Sequence, residues 1–327
     1  MTRTILRRAA VPAVLALGLS LSACGGDNEG EANATDGDEP AVSGEVIADG
    51  SSTVQPLTAA ADGLFKENGG GDVNVSIATS GTGGGFEAFC RGDTDISNAS
   101  RPIKEDEAAE APACKKNGID FTELRVATDA LTVVVSADND FITCLTTEEL
   151  ATMWGPDADG KVTSWDQVNP EFPAEDIELY GPGTDSGTFD YFTDEINGEE
   201  GASRTDYNAS EDDNVIVQGV GGSPNALGYF GYTYYEENAE TLKAVEIDSG
   251  DGCVAPSAET AADGTYTPLA RPLFIYVNNK SYADKPQVAA FVDYYVENVA
   301  EIAELAKFIP LNEEQTTELT DAAQALA

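Results

Sequence analysis

Residues 73–90 read VNVSIATSGTGGGFEAFC, and this stretch sets the class of fold. Val73, Val75 and Ile77 alternate with Asn74 and Ser76, the period of a strand with one buried face. Ser80-Gly-Thr82-Gly-Gly-Gly85 then interrupts the strand, and Phe86, Phe89 and Cys90 follow at helical spacing. The same order of strand, small-residue loop and helix recurs on both sides. Glu45–Ala48 leads through Asp49-Gly-Ser51-Ser52-Thr53-Val54 into an amphipathic helix from Pro56, with Leu57, Leu64 and Phe65 on one face. Ile177–Tyr180 leads through Gly181-Pro-Gly-Thr-Asp185-Ser186-Gly187-Thr188 into the helix TFDYFTDEI. A fourth loop, Asp95-Ile-Ser-Asn-Ala-Ser100-Arg101-Pro102, carries the one arginine of these segments.

Such loops suit an anion. A helix N-terminus leaves backbone N–H donors unpaired and carries about half a positive charge. Glycine lets the backbone approach a ligand closely, and Ser and Thr hydroxyls add donors. Any one loop alone reads more readily as ordinary capping than as a ligand site. Their recurrence, with Arg101, points to several termini converging on one oxyanion. Half a dozen hydrogen bonds to a charged group, at about 1.5–3 kcal/mol each, exceed the roughly 8 kcal/mol that micromolar affinity requires. A dinucleotide site fits poorly, because the second loop lacks the G-x-G-x-x-G register and an acidic ribose partner.

Bulk composition narrows the rest. The chain has 327 residues, 41% hydrophobic, enough for two modest domains or one large one. Against 17 Lys and Arg stand 59 Asp and Glu, a net charge of −42. That surface favours solubility and argues against nucleic acid or anionic lipid as partners. It does not oppose a local anion site, since exposed charges are screened within about 8 Å at physiological salt.

The chain contains no histidine. This removes Ser-His-Asp and Cys-His nucleophiles and His-ligated metals, so neither catalytic residues, metal nor cofactor are expected. Gly155-Pro-Asp-Ala-Asp-Gly160-Lys161 has phosphate-loop spacing, but Val162 stands where a Mg²⁺-binding Ser or Thr belongs. Gly183-Thr-Asp-Ser186-Gly187 departs from a nucleophile elbow at Thr184. Asp157-Ala-Asp159-Gly160 and Asp248-Ser-Gly-Asp251-Gly252 complete no calcium loop and read as acidic turns.

Arg3, Arg7 and Arg8 precede a short apolar run over residues 9–23, the pattern of an export signal. Leu21-Ser22-Ala23-Cys24 looks like a bacterial lipobox, making Cys24 the lipidated first residue of the mature chain. Residues 25–44 are Gly-, Ala- and acid-rich and read as a disordered tether. Cys90, Cys114, Cys144 and Cys253 remain, an even number consistent with two disulfides in an exported protein. Three pairings are open to them; the spacing does not suit zinc.

DGSSTVQPLT (49–58), SGTGGGFEAFCRGDTDISNASRPIK (80–104) and YGPGTDSGTFDYF (180–192) resemble the phosphate-binding proteins of bacterial phosphate ABC importers. EDDNVIVQGVGGSPNALGYFGYTYY (211–235) and RPLFIYVNN (271–279) add weaker matches, so the resemblance covers about residues 45–310. It implies an α/β, two-lobed periplasmic-binding-protein-like fold of type II, with ligand in the cleft. Leu131–Ser136 and Leu273–Asn278 would be the crossover strands. The expected division is a signal peptide over 1–23, a tether over 24–44, lobe I over 45–134 and 273–327, and lobe II over 135–272. Cys90–Cys114 and Cys144–Cys253 would then each close within one lobe.

The implied ligand set is Ser52, Thr53 and Val54, Ser80 with Gly81, Ser100 with Arg101, and Ser186, Gly187 and Thr188. The family's best-known branch has an aspartate where this chain has Ser100 and an arginine where it has Pro182. That carboxylate accepts the proton of hydrogen phosphate and repels sulfate. Here Arg101 is expected to supply the displaced charge, with Asp185 pairing with it or accepting the ligand proton. The implied partners are inorganic phosphate and membrane permease subunits, with the chain a monomer anchored outside the cell membrane. The rival ligands are sulfate, molybdate or a phosphonate; the rival classes are an exported phosphatase and a lipid-anchored sensor or adhesin. Tyr229, Phe230, Tyr232, Tyr234 and Tyr235 are expected to pack beside a cleft wall. Lys285 to Ala306 reads as one amphipathic helix on lobe I.

Overall fold

The structure, a computed structural model, describes residues 42–106, 110–184 and 186–326. The expected export signal, Cys24, nearly all of the tether and Asp185 lie outside the described residues. In chain order the first elements are β1 (Gly44–Gly50), α1 (Gln55–Glu67), β2 (Val73–Ile77), α2 (Gly81–Arg91), β3 (Ile96–Ala99), α3 (Glu110–Asn117) and β4 (Phe121–Ser136). There follow β5 (Cys144–Thr146), α4 (Thr147–Trp154), α5 (Trp165–Val168), β6 (Glu178–Gly181), α6 (Gly187–Asn197), β7 (Asn208–Ala209), α7 (Asp213–Gly221), β8 (Ala226–Gly231) and α8 (Tyr232–Glu237). The chain continues through β9 (Leu242–Ala244), β10 (Glu246–Asp248), β11 (Cys253–Val254) and α9 (Ala258–Ala262). It ends with β12 (Ala270–Asn278), α10 (Asn279–Asp284), α11 (Pro286–Glu297), α12 (Val299–Leu305) and α13 (Glu313–Gln324).

β2, β1 and β3 lie parallel in that order, and β8, β6 and β7 form a second parallel set. Between them run β12 and β4, antiparallel to each other and to their outer neighbours. β4 is the long member: residues 121–130 pair with β12, and residues 131–135 pair with β8. Both crossovers therefore begin earlier in sequence than Leu131 and Leu273. The reason is burial. Every residue of β4 from Val126 to Ser136 is buried, so the strand keeps its ladder across the junction between the two parallel sets.

Two apolar clusters flank that junction. One joins Val46, Leu57, Val73 and Ile96 to Phe291, Tyr295 and Ile302 from the C-terminal helices. The other is built on Trp154, Trp165, Phe192 and Tyr229, with Phe192 and Tyr229 stacked at 3.9 Å between centroids. Cys90–Cys114 and Cys144–Cys253 are bonded. The predicted helix over 285–306 is divided: Asn298 caps both α11 and α12, and its Nδ2 donates to Tyr294 O at 2.8 Å. Among the described residues, no helix is long and apolar enough to cross a membrane.

Candidate functional site

The strand ends place the small-residue loops together. Gly50 (φ +140°) ends β1 where a Cβ would stand 2.1 Å from the Asn98 carbonyl oxygen. At Gly85 a Cβ would meet Gly50 Cα at 2.5 Å, so these glycines seat α2 directly on β1 and β3. Asp49 Oδ1 accepts the Gly50 N–H at 2.7 Å and the Ser80 N–H at 3.0 Å, tying the first loop to the second. The Thr82 hydroxyl lies 3.1 Å from Ser100 Oγ and accepts the Ser100 N–H at 3.2 Å, tying the second loop to the fourth.

From the other parallel set, α6 brings its N-terminus against the first loop. A Cβ on Gly187 would sit 2.6 Å from Thr53 Oγ1 and 3.3 Å from Thr53 N. A side chain there would force Thr53 or the loop to shift. Among the described residues, the backbone N–H groups of Ser52, Thr53, Val54, Gly81 and Gly187 face no acceptor. These are the unpaired donors expected at helix starts.

A cavity of about 650 Å³ opens here, lined by Ser52, Thr53, Ser80, Gly81, Ser100, Arg101 and Gly187 from the sequence-derived set. Val54, Ser186 and Thr188 stand behind that lining. The Val54 side chain is in the core, and the Ser186 hydroxyl caps α6 by accepting the Thr188 N–H at 3.2 Å. Tyr229 and Phe230 are fully buried, in keeping with a packing role.

Arg101 is tethered. Its Nη2 and Nη1 donate to the two oxygens of Glu110 at 2.7 and 3.1 Å, and Nη1 also reaches the Pro102 carbonyl. Burial pushes the Glu110 carboxyl up, but hydrogen bonds from Arg101 and the Lys104 N–H outweigh it and hold the group below its ordinary value. Asp185, expected to pair with Arg101 or to accept the ligand proton, lies outside the described residues. Among those described, the carboxylate against the Arg101 guanidinium is Glu110, from a helix the loop reading did not include.

A second guanidinium, Arg271, lines the cavity and is absent from the sequence-derived set. It lies 3.7 Å from the Tyr191 ring centroid and bonds Asp129 and Thr53. The available signal was the position of Arg271 at the head of RPLFIYVNN, but its carboxylate partner emerges only from strand register. Four carboxylates, Asp190, Asp194, Glu195 and Glu200, complete the charged lining. Burial, and then Glu200, push Asp190 up; burial, and then Asp194, push Glu195 up; Arg271 opposes both. Elsewhere, the one described cluster of metal-ligating type, Cys144, Glu246 and Cys253, has both sulfurs committed to a disulfide.

Two α/β sets bridged by two crossing strands, with a polar cavity at helix starts from both sets, define a two-lobed solute-binding protein. Residues 35–299 match the family described as a PBP superfamily domain. Protein SphX of Synechocystis sp. is 46% identical over 310 residues, 94% of this chain and 87% of the relative. Phosphate-binding protein PstS of Staphylococcus saprophyticus is 40% identical over 301 residues, 92% of this chain and 88% of the relative. The crystal structure of a possible phosphate binding protein from Planctomyces limnophilus is 42% identical, with a TM-score of 0.81 over 87% of this chain and 99% of that one. The chain belongs to the PBP superfamily and, within it, to the family of SphX and PstS.

Proposed function

We propose that the chain captures inorganic phosphate in this cavity and delivers it to the permease subunits of an ABC importer, without covalent chemistry. The carrying observation is the meeting of unpaired N–H donors from two helix starts, at Thr53 and Gly187, beside two guanidinium groups. The phosphate-binding relatives support the choice of anion. The ligands are the N–H groups of Ser52, Thr53, Val54, Gly81 and Gly187, the Ser80, Ser100, Ser186 and Thr188 hydroxyls, and Arg101. From sequence, the chain divides into lobe I over 45–134 and 273–327 and lobe II over 135–272. The two main apolar clusters support two lobes, but Leu131 and Val133 pack in the second cluster, which favours a boundary near residue 130. The export signal over 1–23, lipidation of Cys24 and the acidic tether place the monomer outside the membrane, close to its permease.

The carboxylates in the lining favour phosphate over sulfate. Hydrogen phosphate carries a proton that a carboxylate accepts, whereas fully ionised sulfate offers none and is repelled. Equilibrium dialysis with labelled phosphate tests this reading, with arsenate and sulfate as competitors. Displacement by arsenate and not by sulfate is expected; equal displacement by both would refute the selectivity.

A further inference from the structure

Arg271 lies where three parts of the fold meet. In the β4–β12 ladder it stands opposite Asp129, and its Nε donates to Asp129 Oδ2 at 3.1 Å. Its Nη2 donates to Thr53 Oγ1, in the first loop, at 3.0 Å. Its guanidinium covers the ring of Tyr191, from α6, and the Tyr191 hydroxyl is itself held by the Pro268 carbonyl. A strand, a loop and a helix thus fix the group, which suits the planar fork of arginine and not the point charge of lysine. Nη1 has no acceptor among the described residues, and the side chain, 17% exposed, borders the cavity.

Arg101 has fewer donors left, since Nη1 is bound to Glu110 and Pro102 and Nη2 to Glu110, leaving Nε and one Nη2 hydrogen. With four carboxylates in the lining, a dianion gains most where a guanidinium still has N–H groups to offer. Buried Asp129 keeps Arg271 oriented and also neutralises part of its charge.

We propose that Arg271 is a direct ligand of the bound oxyanion, donating from Nη1, while Asp129 and Tyr191 hold it in place. This rests on the reading that the cavity binds phosphate. Calorimetry is therefore run first on the unaltered chain, where absence of heat with phosphate would remove the binding reading itself. Given binding, Arg271→Gln raises the Kd for phosphate at least 30-fold near pH 8, where the dianion dominates. The rise is smaller near pH 6, where the monoanion dominates. Arg271→Lys recovers part of the loss. Asp129→Asn keeps a hydrogen-bond acceptor, removes the neighbouring negative charge and tightens phosphate severalfold.

A residue that only braced Thr53 would lose affinity equally at both pH values, and Asp129→Asn would then weaken binding. Either result, or an unchanged Kd in Arg271→Gln, overturns the proposal. Should Arg271→Gln fail to fold around an unpaired Asp129, the double variant Asp129→Asn/Arg271→Gln leaves no uncompensated buried charge and carries the same expectation.

Discussion

Replacing Gly187 by alanine probes the approach of the two lobes at its tightest point. The new methyl carbon would stand 2.6 Å from Thr53 Oγ1, well inside ordinary contact, with Thr53 N and Cα at 3.3 and 3.4 Å. Two relaxations are open. Thr53 rotates, which breaks the 3.0 Å bond from Arg271 Nη2, or the loops part by roughly an ångström, which lengthens every ligand contact spanning them. Either costs about one hydrogen bond to a charged group, roughly 1.5–3 kcal/mol, and so raises the Kd for phosphate about 10- to 150-fold. Stability should hardly fall, since Gly187 lies outside the left-handed region and alanine favours a helix by up to about 1 kcal/mol. Calorimetry and thermal melting read both quantities. In a Thr53→Ala background the colliding oxygen is gone, so Gly187→Ala should cost far less there. A Kd unchanged within about twofold, or an equal loss in both backgrounds, would refute the reasoning.

Asp213, half-buried at the start of α7, is pushed up to about 6, first by burial and then by Asp212 and Glu211. A carboxyl whose pKa rises on folding destabilises the folded state progressively from about pH 4 to about pH 6 and by a constant amount above. Asp213→Asn should therefore raise the melting temperature at pH 7 and leave it unchanged below about pH 4. The shift corresponds to about 3 kcal/mol, which partial exposure and the helix dipole reduce to about 1–2. Removing Cys90–Cys114, which spans 24 residues, should cost about 3.5 kcal/mol by chain entropy. Removing Cys144–Cys253, which spans 109, should cost about 5 kcal/mol; denaturant melts of the paired serine variants check the order. Asp185→Asn should narrow the preference for phosphate over sulfate, and an unchanged ratio in competition dialysis would sink its assignment as proton acceptor.

The loops were legible because their chemistry is local. Strand alternation, Gly and hydroxyl residues, and the first apolar turn of a helix lie within about fifteen residues of one another, and each such unit folds where it stands. Arg271 was not legible as a site residue, since Asp129 and Tyr191 reach it only through strand register and lobe packing. The Arg101–Glu110 pair has a similar origin: α3 folds back onto the fourth loop, a packing outcome that loop chemistry does not encode. The single helix expected over 285–306 kept its apolar face, with Val288, Phe291, Val292, Tyr295 and Val299 all in the core. It broke at Asn298, whose side chain competes for a backbone carbonyl. The lengths of the crossover strands were underestimated because turn residues mark strand ends weakly where burial continues past them.

Phosphate capture between the two lobes is tested most directly by titrating the processed protein, stripped of bound anion, with phosphate in a calorimeter. One phosphate per chain, with micromolar or tighter affinity, is the predicted result. No heat with phosphate, or the same affinity for sulfate, would contradict the account.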